Sequence, residues 1–137
     1  MNRRSILLAA GLLPVGVAGP AAAHPGTTGI ITQTLLKAIE GRREALGRFI
    51  TLNWLAMDRI GIDAGLFTHA TLYEVVGDPD CDFVVEVGYI DPDGYDAVAD
   101  RFAAIRSAHA TVLVDGRGLS ELGRVTGDRS YRPFSRA

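Results

Sequence analysis

From Ile30 onward the chain alternates between two hydrophobic rhythms. Ile30 to Ala38 opens on β-branched residues and predicts a strand. Glu40-Gly41 marks a turn, and Arg43 to about Ile60 then carries Leu46, Phe49, Ile50, Met57 and Ile60 at helical spacing on one stripe. Gly61 to Gly65 closes that helix. Phe67 to Val76 alternates with a period of two, Gly77-Asp78-Pro79-Asp80 turns the chain, and Phe83 to Ile90 reads as a second strand. The pair predicts an antiparallel hairpin. Asp91-Pro92-Asp93-Gly94 precedes a second helix, Tyr95 to about His109, with Tyr95, Val98, Phe102 and Ile105 on one face. Thr111 to Val114 is extended, and the arginine- and glycine-rich remainder reads as an irregular tail.

Strand, helix, strand, strand, helix and a last strand make the β-α-β-β-α-β pattern of an α+β, ferredoxin-like fold. It predicts an antiparallel sheet with two helices on one face. The rhythm is absent from the first residues. Met1 to Arg4 is short and positive, Ile6 to Gly19 is uncharged, and Ala21-Ala22-Ala23 supplies an A-x-A cleavage site. This apolar run is too short, and too rich in Gly and Pro, to span a bilayer. Arg3 and Arg4 followed by Ser5-Ile6-Leu7 resemble a twin-arginine export signal, with an ordinary secretory signal as the other reading. The expected organisation is an export signal over 1–23, a flexible leader over 24–29, and one domain over 30–137. The expected location is periplasmic or secreted, with the twin-arginine export machinery as a partner and no stable membrane anchor.

At 137 residues there is room for one domain. Removing Arg3 and Arg4 with the signal takes the formal charge from −2 to −4, which argues against nucleic acid as a partner. The single cysteine, Cys81, excludes an internal disulfide framework and leaves an intermolecular disulfide open. Its acidic neighbours in D-P-D-C-D make it a poor nucleophile.

The runs R-R-E-A-L-G-R-F-I-T-L-N-W-L-A-M-D-R-I, G-L-F-T-H-A-T-L-Y-E-V and F-V-V-E-V-G-Y resemble the dimeric α/β-barrel superfamily. That group includes the antibiotic-biosynthesis monooxygenases. The resemblance spans about residues 29 to 114 and rests on element order and apolar pattern. It implies a homodimer built by packing two sheets face to face, and a pocket in each subunit between sheet and helices.

Candidate site residues stand where polar groups interrupt apolar faces. Asn53 falls inside the stripe of the first predicted helix, either to orient a ligand or to bond nearby backbone. Trp54, at the stripe's edge, is a pocket wall, or a core or dimer contact. Phe67, His69, Thr71, Tyr73 and Val75 share one strand face. That face is either a binding wall, with His69 as base and Tyr73 as donor, or a solvent- or dimer-facing side. His109 ends the second helix, as a ligand contact or as the partner of a carbonyl or carboxylate. The catalytic candidates are therefore His69 and Asn53, and the ligand-binding candidates are Trp54, Tyr73 and His109.

Other patterns fail on inspection. Asp78, Asp80 and Asp82 open like a calcium loop, but Phe83 and Tyr89 stand where glycine and glutamate are required. Gly116-Arg117-Gly118 lacks the third glycine of a dinucleotide fingerprint. His24, as a new N-terminus, could bind copper only with a second histidine nearby. No cofactor or metal is called for. The expected function is an exported protein that binds a small apolar or aromatic molecule, as a cofactor-free monooxygenase or as a non-catalytic binding or accessory protein.

Overall fold

A computed structural model describes residues 26–134. The expected export signal over 1–23 and His24 lie outside the described residues. The elements run β1 (Ile30–Ala38), α1 (Arg43–Leu52), α2 (Trp54–Asp63), β2 (Phe67–Glu74), β3 (Phe83–Tyr89), α3 (Tyr95–Ala108), a 3-10 turn (Leu119–Glu121) and β4 (Gly123–Tyr131). The strands form one sheet in the order β2-β3-β1-β4, antiparallel throughout. This is the α+β, ferredoxin-like arrangement, with the helices covering one face of the sheet.

The strand limits follow the alternation closely; two regions depart from expectation. The first predicted helix is two helices. Asn53, at φ −116° and ψ −65°, separates them, and the buried face of the second half is shifted round from that of the first. Leu55, Asp58, Gly61 and Ile62 turn inward on α2, and Ile60 of the predicted stripe is left half exposed. The C-terminal stretch read as an irregular tail holds the last strand. Residues 111–114 contribute only an isolated bridge from Val114 to Arg117, while Gly123–Tyr131 pairs along β1. Most β4 side chains are exposed at the sheet edge, so the strand carries no hydrophobic alternation for a sequence reading to find.

Two apolar clusters fill the space between sheet and helices. The first joins Leu36, Phe83 and Val85 to Leu46, Phe49 and Ile50 of α1, with Val114 and Leu122 closing it. The second joins Phe67, Ala70 and Tyr89 to Leu55 and Ile62 of α2 and Val98 and Phe102 of α3. Phe67 belongs to this cluster because the β2–β3 register shifts between Phe67 and His69. That bulge overturns the expectation that Phe67 shares a face with His69. Gly61 makes the helix–sheet approach possible, since a Cβ there would fall on the Phe67 ring.

Candidate functional site

The five sequence candidates do not converge. Asn53 sits on the helix side of the sheet, 2% exposed, with every polar position of its amide used. Its Nδ2 donates to the carbonyls of Phe49 (2.9 Å) and Val112 (2.8 Å). Its Oδ1 accepts from the Val112 N–H (2.7 Å) and from His109 Nε2 (2.9 Å). The carboxamide thus stands in for a peptide group, pairing with both polar atoms of Val112 as a neighbouring strand would. Of the two readings of Asn53, bonding to backbone is the one this geometry displays. His109 is drawn into the same latch, and Trp54 packs against the first apolar cluster.

His69 lies on the other side of the sheet. Its ladder partner is Gly88, while Ala70 beside it faces the helices. A site shared by Asn53 and His69 is therefore not formed. Instead His69 joins a polar network on the helix-free face. Nε2 donates to Glu86 Oε2 at 2.8 Å, and Gln33 Nε2 donates to the other carboxylate oxygen at 3.0 Å. Because a carboxylate only accepts, Nε2 carries a proton, and Nδ1 lies 3.1 Å from the Thr68 hydroxyl. The Thr68 hydroxyl in turn lies 2.7 Å from that of Thr28. Gly88 gives this network its room: a Cβ there would fall on the His69 ring and the Thr68 hydroxyl. Tyr73 stands on the same face, 47% exposed, with no hydrogen bond to the network.

A groove of about 660 Å³ opens between α1 and the β2–β3 hairpin. Gly47, Leu52, Leu72 and Phe83 make it largely apolar, and Arg43, Arg48, Thr51 and Glu74 bring polar groups to its edge. Arg43 is fixed there. It donates to the Val75 carbonyl at 2.6 Å, pairs with Glu74 (3.4 Å) and Asp82 (3.6 Å), and lies over the Phe83 ring. Asp82 also accepts from the Ala38 N–H at 2.7 Å and pairs with Lys37, so the last aspartate of D-x-D-x-D closes the hairpin onto β1. A smaller groove of about 400 Å³ runs between α2 and α3, lined by Ile60, Ile105 and His109 among alanines.

One residue that sequence reasoning missed is Asp58. It is buried on the inner face of α2, and among the described residues no donor reaches its carboxylate. Burial raises it from the ordinary 3.8 to about 7. Tyr89, facing the same cluster, is pushed up to about 12 by its own burial, by the Asp58 charge and by Tyr95. The signal was present: Asp58 lies three residues after Leu55 and four before Ile62, at helical spacing with both.

Among the described residues no group of three or more His, Cys, Asp or Glu side chains is placed to hold a metal ion, and no helix is long and apolar enough to cross a membrane. No protein-family model matches the chain, and no curated protein matches it. The crystal structure of PA3566 from Pseudomonas aeruginosa is similar, with a TM-score of 0.50 over 81% of this chain and 97% of that one, at 17% sequence identity. At that identity the likeness is one of fold, and it agrees with the ferredoxin-like topology of the sheet.

Proposed function

We propose that this protein is an exported, homodimeric binder of a small apolar or aromatic molecule, with the dimeric α/β-barrel superfamily as its relatives. The observation that carries the reading is the groove of about 660 Å³ between α1 and β2–β3, of a size that ligand pockets commonly have. It lies between sheet and helices, where the superfamily resemblance calls for a pocket. Binding without turnover is favoured over oxygenation, because neither described imidazole, His69 or His109, is among the residues lining this groove. Export rests on the pattern of residues 1–23. The homodimer is supported by the helix-free face, which carries Ile31, Leu35 and Val84 around a polar network whose members bond one another.

The binding test titrates small aromatic and aliphatic compounds while following Trp54 fluorescence and melting temperature, in the wild type and in Thr51→Trp, which fills the groove. A saturable response lost in Thr51→Trp is expected. The absence of any response across the panel overturns the reading. Oxygen uptake with polyphenols or anthrones, in wild type and His69→Ala, separates the two classes: uptake that depends on His69 would replace binding by monooxygenation.

A further inference from the structure

The smaller groove, between α2 and α3, holds about 400 Å³, within the range of small-molecule pockets. Ile60 of α2, half exposed, and Ile105 of α3 give it aliphatic walls, and Ala104, Ala108 and Ala110 leave it open. His109 is the one lining residue with a polar side chain. That imidazole is held in a single orientation by Asn53. The Asn53 amide cannot be turned round, because Oδ1 accepts from the Val112 N–H at 2.7 Å while Nδ2 donates to the Phe49 and Val112 carbonyls. Since Oδ1 only accepts, the proton in its 2.9 Å contact with His109 sits on Nε2. In the neutral ring Nδ1 then presents a lone pair, and no described residue bonds it. α3 also ends here, and the last carbonyls of a helix have no intrahelical donor. The groove therefore offers acceptors at one end and no side-chain donor.

An occupant suited to these walls is apolar, and its polar group must donate. A hydroxyl would bring oxygen lone pairs for which the walls hold no side-chain donor, whereas a ring N–H brings none. We propose that the α2–α3 groove is a second binding site, for a neutral N–H heteroaromatic compound of the indole class. Its N–H donates to His109 Nδ1, and its ring lies against Ile60 and Ile105. Asn53 is the positioning residue that keeps Nδ1 available. No residue lining this groove also lines the α1 groove, so the inference stands independently of the function proposed there.

The test titrates the full chain with indole and with indene, which puts a CH2 in place of the N–H in the same two-ring frame. Melting temperature, backbone amide shifts and imidazole nitrogen resonances are followed at about pH 8, where an ordinary imidazole is neutral. Wild type is compared with His109→Phe, Ala108→Leu and Thr51→Trp. Indole is expected to bind saturably, to shift amides of α2 and α3 and the His109 Nδ1 resonance, and to bind about tenfold tighter than indene. His109→Phe keeps a ring and removes the acceptor, so the preference for indole should disappear. Ala108→Leu adds bulk to the groove wall and should abolish binding of both; Thr51→Trp, in the α1 groove, should change nothing. The wild-type comparison of indole with indene needs no variant to fold. The inference is overturned by the absence of a saturable indole response, by indene binding as tightly as indole, or by a preference that survives in His109→Phe. Indole binding that persists in Ala108→Leu or is lost in Thr51→Trp would overturn it as well. An indole affinity that falls as protein concentration rises would place a second copy of the chain on this groove instead.

Discussion

His109 Nε2 donates to Asn53 Oδ1 across 2.9 Å, joining the end of α3 to the break between α1 and α2. With the Val112 backbone bonded to the same amide, one side chain holds the α3–β4 connection onto the helix layer. Asn53→Ala strands both polar atoms of Val112, and a loss of roughly 2–4 kcal/mol in urea unfolding is expected. Asn53→Asp should cost as much, because a carboxylate cannot donate to the Phe49 and Val112 carbonyls. A loss under about 0.5 kcal/mol in both variants would show that the latch contributes nothing.

Asp58 sets a pH dependence whose sign is fixed by burial. Its folded value, about 7, lies above the ordinary 3.8, so the folded state binds the extra proton. Stability is therefore complete below about pH 4, falls as pH rises towards 7, and levels off above. At about 1.36 kcal/mol per pH unit the span is roughly 4 kcal/mol. Asp58→Asn should flatten this slope between pH 4 and 8, checked by denaturant unfolding at each pH. An unchanged slope would place the titration elsewhere.

Gly88→Ala sets a methyl group against the His69 ring and the Thr68 hydroxyl. A loss of about 1–3 kcal/mol is expected, with displacement of the His69 imidazole resonances in nitrogen NMR. A variant with wild-type stability and an undisturbed imidazole would mean that the network does not depend on this close approach.

Light scattering at micromolar concentration should report a dimer. Val84→Lys, on the helix-free face, should shift it towards monomer by placing an unpaired charge in a covered surface. A monomeric wild type would sink the sheet-to-sheet packing.

How far the sequence could be read follows from what each position buries. β1, β2 and β3 combine β-branched and aromatic residues with turn signals at both ends, and their limits were legible to within two residues. α3 was legible because Val98 and Phe102 face one cluster. Asn53 was visible as an intruder on an apolar stripe, but the break it makes depends on Val112 and His109, more than fifty residues away, and no local spacing encodes that. β4 was illegible because it pairs through its backbone at a solvated edge. His69 was picked out for its strand face, whereas Glu86, Gln33 and Thr28 reach it only across the ladder. Asp58 was overlooked because the stripe was extended unbroken through Asn53, which rotated the expected inner face away from it.

The redirection of the chain at Asn53 also divides the interior. α1 covers one apolar cluster and α2 with α3 the other, and Leu72 and Val87 are the partly buried residues packed against both. Such a division lets the molecule yield in halves. Amide protons of α2 and α3 can exchange in an opening that leaves the α1 half shut. Motion in one half is then felt in the other only through that pair of side chains.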